Sequence, residues 1–152
     1  MKRYLSPKTM ISALMILTIA PAITSCKNEP IRNVDLYTDD FVIEHYTQGI
    51  DDYESTEYER IVYTLKYFDL GPHEPRYRGV IYLTEDEAAE LNAKYEWTEV
   101  LNVEFEFDEV DIGDVEGPWY TCNEFQKDTF TTVNVHSAVF NGEAIVFDIQ
   151  TT

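Results

Sequence analysis

Apolar positions recur along this chain at two spacings, and the change from one to the other marks its elements. Phe41-Val42-Ile43-Glu44-His45-Tyr46 is dense in β-branched and aromatic residues and predicts a first strand. Gln48 to Glu59 is polar and acidic and predicts an exposed loop carrying Tyr53 and Tyr58. Across Arg60 to Phe68, Ile61, Tyr63, Leu65 and Tyr67 alternate with Val62, Thr64, Lys66 and Phe68. Helical spacing also fits there, through Tyr58, Ile61, Val62, Leu65 and Phe68, with Gly71-Pro72 as a stop. The β-branched and aromatic content favours the strand.

Gly71, Pro72 and Pro75 shape a turn-rich connection from Leu70 to Pro75, and Arg76 to Leu83 predicts the next strand. Thr84 has the side chain of a helix N-cap, and Glu87 three residues on completes a capping box. Glu85 and Asp86 suit the positive end of the dipole, so a helix is predicted over 85–95, with Ala88, Leu91 and Tyr95 on one face. Val100 to Phe107 reads as an amphipathic strand, with Leu101, Val103, Phe105 and Phe107 on one face and Asn102, Glu104 and Glu106 on the other. Asp108 to Pro118 reads as an acidic loop, and Trp119 to Phe125 as strand again. Thr131–Phe140 and Glu143–Ile149 flank Asn141-Gly142, a strong hairpin signal that places His136, Ala138, Phe140, Glu143, Ile145 and Phe147 on one mostly apolar, inward face. About seven short strands and one helix predict a mainly β domain over 34–152, with α+β as the neighbouring class. A sandwich with an inserted helix and a curved antiparallel sheet covered by that helix are both compatible.

The start of the chain follows another pattern. Lys2, Arg3 and Lys8 precede an apolar run from Met10 to Ala20, too short for a comfortable membrane span. The segment closes on Ile23-Thr24-Ser25-Cys26, which resembles the lipobox of bacterial lipoproteins. That resemblance covers residues 1–26 only. It implies a signal peptide over 1–25, acyl chains on Cys26, a lipidated tether over 26–33, and a place in the cell envelope at the outer membrane. Lys27 and Glu29 partly resemble the charge signal that sends such lipoproteins to the cell surface in some Gram-negative lineages. Acyl chains on a cysteine tether a chain without spanning the bilayer.

Charge narrows the partners. The chain holds 29 acidic and 11 basic residues, net −18. Loss of Lys2, Arg3 and Lys8 with the leader makes the domain still more acidic. Such a field repels nucleic acid and suits a basic partner, divalent cations, or simple solubility.

The acidic runs suggest calcium as the one cofactor, through Asp108, Asp111, Asp114 and Glu116, although the spacing matches no EF-hand loop. His45, His73 and His136 have no metal-ligand spacing, and Cys122 is left without a cysteine partner if Cys26 is acylated. Cys122 with His136 is the one nucleophile–base pair the strands suggest. No nucleophile elbow, phosphate loop or dinucleotide fingerprint is present. Tyr53, Tyr58, Trp97, Trp119 and Tyr120 are the aromatic candidates for a protein or glycan surface. The sequence is therefore read as a lipid-anchored binding module rather than an enzyme. Its alternatives are a small envelope hydrolase and an immunity-like inhibitor of a basic protein.

Overall fold

The computed structural model describes residues 30–65, 74–113 and 115–152. The leader, the lipobox with Cys26, the stretch Lys66–Phe68, His73 and Asp114 lie outside the described residues. Among the described residues, seven strands form one open antiparallel sheet in the order β1-β2-β3-β7-β6-β5-β4. They are β1 (Pro30–Tyr37), β2 (Tyr53–Leu65), β3 (Arg76–Leu83), β4 (Thr98–Val100), β5 (Trp119–Thr121), β6 (Asn134–Phe140) and β7 (Ala144–Gln150). Three helices, α1 (Phe41–Tyr46), α2 (Glu85–Lys94) and α3 (Asn123–Thr129), complete the elements. The protein is thus mainly β, and the single helix-covered sheet is the arrangement adopted.

Alternation along each strand gives the sheet two apolar faces. On one, Tyr77, Ile81, Ala138, Phe140, Ile145, Phe147 and Ile149 pack with Val42 and Ile43 of α1, Ala88 and Leu91 of α2 and Phe125 of α3. On the other, Val80, Val139, Ala144 and Val146 meet Val110 and Trp119, with half-buried Val103, Phe105, Phe107, Ile112 and Val115 packed against them. The described residues from 103 to 113, with Val115, are therefore a strap across the back of the sheet. At Gly79 of β3 an added Cβ would fall on the Glu57 carbonyl and on Tyr58, so the close approach of β2 requires glycine there.

Helix α2 forms where its cap predicts. The Thr84 hydroxyl accepts the Glu87 N–H at 3.3 Å, and Ala88 and Leu91 are buried. The box is only half closed, because the Glu87 carboxylate accepts from the Asp52 N–H at 3.2 Å. The hairpin also forms, with its turn one residue later than expected. Phe140 pairs with Ile145, which centres the turn on Gly142-Glu143, and Gly142 has φ +99°. Asn141 directs this: its Oδ1 accepts from the N–H groups of Glu143 at 3.0 Å and Ala144 at 2.8 Å. A two-residue loop is kept, so Ala138, Phe140, Ile145 and Phe147 still face inward, whereas Glu143, now in the turn, and His136, at a bulge in β6, are exposed and leave the expected face.

Five stretches depart from the sequence reading. Phe41–Tyr46 is helix and not strand: Val42 and Ile43 are both buried, and the Asp39 carboxylate accepts the Phe41 N–H at 3.1 Å at the helix start. Within the expected loop from Gln48 to Glu59, β2 already begins at Tyr53. The expected strand over Val100–Phe107 stops at Val100, because Asn102 takes φ +57°, a left-handed conformation that Asn tolerates and a strand does not. Trp119–Phe125 divides into β5 and the start of α3, which turns Phe125 fully into the core. Strand β1 starts at Pro30, so the end of the expected tether is paired with β2.

Candidate functional site

A cleft of about 780 Å³ opens at one end of the sheet, between α2 and the β6–β7 turn. Its floor comes from Leu83, Ala88 and Phe140, which alternation and helical spacing have already turned toward the core. Tyr82 and Tyr120 stand at its sides, and Asn92, Asn141 and Thr84 add polar groups. The end of β3 is tied to the turn by the Leu83 N–H, which donates to the Glu143 carbonyl at 3.0 Å. That bond holds the two walls in fixed relation.

Every charged side chain lining this cleft is a carboxylate: Glu54 from β2, Glu85 from α2 and Glu143 from the turn. All three are exposed, and none makes an ion pair with a described residue. Glu87 of α2, which does not line the cleft, is buried, and this desolvation raises its pKa against the opposing bonds from the Asp52 and Asp51 backbone. Burial likewise raises the Tyr82 phenol, helped by the charges of Glu57 and Asp111. The cleft therefore offers negative potential over an apolar floor, complementary to a cationic side chain with an aliphatic stem.

The sequence-level candidates do not converge. Of the aromatic set, only Tyr120 lines the cleft. Tyr58 is 2% exposed in the core, its hydroxyl donating to Asp39, and Trp119 is 8% exposed against Phe105 on the back face. Trp97 packs on Phe140 and Phe125, its Nε1 donating to the Leu91 carbonyl at 3.1 Å. Tyr53 packs against the helix-side core. Tyr58 and Trp119 are thus core positions and Tyr53 and Trp97 core-edge positions, and Tyr120 is the member of the set that reaches the cleft.

Among the calcium candidates, Asp108 is bound by Arg32 and Arg78, and the Asp111 carboxylate accepts the Gly113 N–H at 2.9 Å. Glu116 is exposed, its carbonyl accepting from Asn141 at 3.0 Å. Among the described residues no three His, Cys, Asp or Glu side chains converge as a metal site would require. Cys122 is buried at the start of α3, whereas His136 is exposed at a bulge in β6, with Nε2 at 3.2 Å from Gln150 Oε1. No hydrogen bond joins the two.

Sequence reasoning missed the densest charge cluster. Glu59 is fully buried, paired with Arg78, and accepts the backbone N–H groups of Asp108 at 2.8 Å and Glu109 at 3.0 Å. Asp108 then bridges Arg78 and Arg32, and the Arg32 guanidinium holds its carboxyl below the ordinary value. This network fastens the strap to β1, β2 and β3. Its signal in the sequence is the alternation Glu57, Glu59, Ile61 against Arg76, Arg78, Val80, which becomes visible only once β2 is recognised as starting at Tyr53.

Comparison of the chain with family models, with curated proteins and with solved structures returned no match.

Proposed function

We propose that this chain is a lipid-anchored cell-envelope module, held at the outer membrane by acyl chains on Cys26, which binds a protein partner through the cleft beside α2. The observation that carries this reading is the rim of Glu54, Glu85 and Glu143, with no Lys or Arg among the residues that line the cleft. A basic protein segment suits such a rim, since opposite charge steers encounter and fixes register. A glycan finds less support, because Tyr58, Trp97 and Trp119 spend their rings on the core. An immunity-like inhibitor of a basic protein would use the same surface, and the cleft serves both versions of the reading.

The test is a titration of the purified, acylated protein in detergent with an oligo-lysine peptide. Binding that weakens as salt is added is the expected result. The combined variant Glu54→Gln, Glu85→Gln and Glu143→Gln should lose about tenfold in affinity, a few tenths to one kcal/mol per exposed charge. The matched variant Glu99→Gln, Glu104→Gln and Glu106→Gln removes the same net charge from exposed positions outside the cleft and should keep its affinity. Equal losses in the two variants would show general acidity at work instead of a site.

A further inference from the structure

The cleft and the start of the described chain lie at opposite ends of the sheet. Pro30 pairs with Leu65 at one end, and β2 then runs thirteen residues to Tyr53, which pairs with Leu83 beside the cleft. At ~3.3 Å per residue this separation is roughly 40 Å. Only Lys27, Asn28 and Glu29 lie between Cys26 and Pro30. Four residue steps reach at most about 14 Å, whatever their conformation. Given acylation of Cys26, the Pro30 end is therefore held at the membrane surface.

A short tether leaves the domain free to tip, and charge decides against tipping. At the cleft end, Asp51, Asp52, Glu54, Glu85, Asp86 and Glu143 stand in stretches without Lys or Arg, from 51 to 59, 82 to 93 and 141 to 147. Toward the other end, Arg32, Arg76 and Arg78 offset part of the acid by pairing with Asp108, Asp148 and Glu59 respectively, beside exposed Glu74, Glu104 and Glu106. The molecule is thus electrically lopsided along its strands. Laying the wholly acidic end on an anionic lipid surface brings like charges together, whereas the end that holds the three arginines is repelled less.

We infer that the anchored domain stands on its Pro30 end and presents the cleft to the aqueous phase, so that its partner is a soluble basic protein and not a lipid headgroup. This rests on the lipid-anchored reading above. It adds the direction of approach and the phase in which the partner moves.

The experiment places the acylated protein in vesicles of mixed zwitterionic and anionic phospholipid that carry a headgroup-attached quencher. A fluorophore is attached at Glu143→Cys on the cleft rim or at Thr152→Cys, next to Thr151, whose N–H bonds the Pro75 carbonyl near the opposite end. Both positions are exposed, and Cys122 is buried from the label. Quenching is expected to be several-fold stronger at 152 than at 143, because nine residue steps along extended β7 separate the two labels by roughly 30 Å. Equal quenching, or stronger quenching at 143, would overturn the orientation. An oligo-lysine peptide should bind the vesicle-held protein within about twofold of the detergent-held protein, and a loss of about tenfold or more would show the cleft occluded. Cys26→Ser separates the two ideas: vesicle association that persists in this variant would sink the anchoring reading itself, whatever the quenching pattern.

Discussion

Glu59 illustrates how much a single residue's role depends on its surroundings. In the sequence it ends an acidic run with the character of a solvated loop. In the fold its carboxylate is fully buried, with Arg78 and two backbone N–H groups as partners. A buried charge survives only when paired and hydrogen-bonded, and both conditions are met here. Glu59→Gln leaves the largely buried Arg78 guanidinium with only the exposed Asp108 as counter-charge, and weakens the strap's hold on β2, which Glu57 keeps through the Asp111 N–H. We expect a loss of about 3 kcal/mol in unfolding free energy, read as a lower urea midpoint at unchanged slope. A loss under about 0.5 kcal/mol, the usual size at an open surface, would mean that the network adds nothing. None of this was legible in the sequence, because Glu59 looks like its neighbours until β3 lies beside it.

At the scale of elements, the same alternation has two outcomes. In β7, Ile145, Phe147 and Ile149 face one side of a strand paired on both edges. In the strap, Val103, Phe105 and Phe107 also turn inward alternately, yet no partner strand is bonded to them. Side-chain alternation reports an extended backbone and a buried face, and it carries no information about a hydrogen-bonding neighbour. Asn102 redirects the chain off the sheet edge and over its back. The strap should accordingly contribute less than the helices. Phe105 is half-buried, packed edge-on to Trp119 at 4.9 Å, whereas Phe125 of α3 is fully buried. Phe105→Ala is expected to cost about 1–2 kcal/mol and Phe125→Ala about 3–5 kcal/mol by thermal or chemical denaturation. The reverse order would mean that the strap and not α3 dominates the core. Helix α1 shows the converse limit. Its β-prone residues are helical because burying Val42 and Ile43 together outweighs a weak local preference.

The whole molecule is governed by its charge. With 29 acidic against 11 basic residues, folding brings like charges together, while the ion pairs found among the described residues involve only Arg32, Arg76 and Arg78. Added neutral salt shortens the reach of this repulsion from roughly 30 Å at 0.01 M to about 10 Å at 0.1 M. The melting temperature should therefore rise between these ionic strengths, by a few degrees for each kcal/mol of repulsion removed. A melting temperature that falls over the same range would show that attractive pairs outweigh the repulsion. Binding of a cationic peptide should respond in the opposite sense, so one salt series separates folding from recognition.

Local chemistry was decisive wherever an element depends on residues close in sequence. The Thr84 cap, a hairpin turn within one residue of Asn141-Gly142, the strand content of 76–83 and 143–149, and the acidic balance were all legible from the chain alone, because each needs only neighbours a few positions away. Tertiary structure decided the rest. It determined that Phe41–Tyr46 coils and that 103–107 crosses the sheet without joining it. It also placed Tyr58 and Trp119 in the interior and gathered Glu54, Glu85 and Glu143 around one cleft. Those outcomes depend on which edges and faces remain open after the sheet has assembled, and β2, α2 and the β6–β7 turn meet only through contacts far apart in sequence.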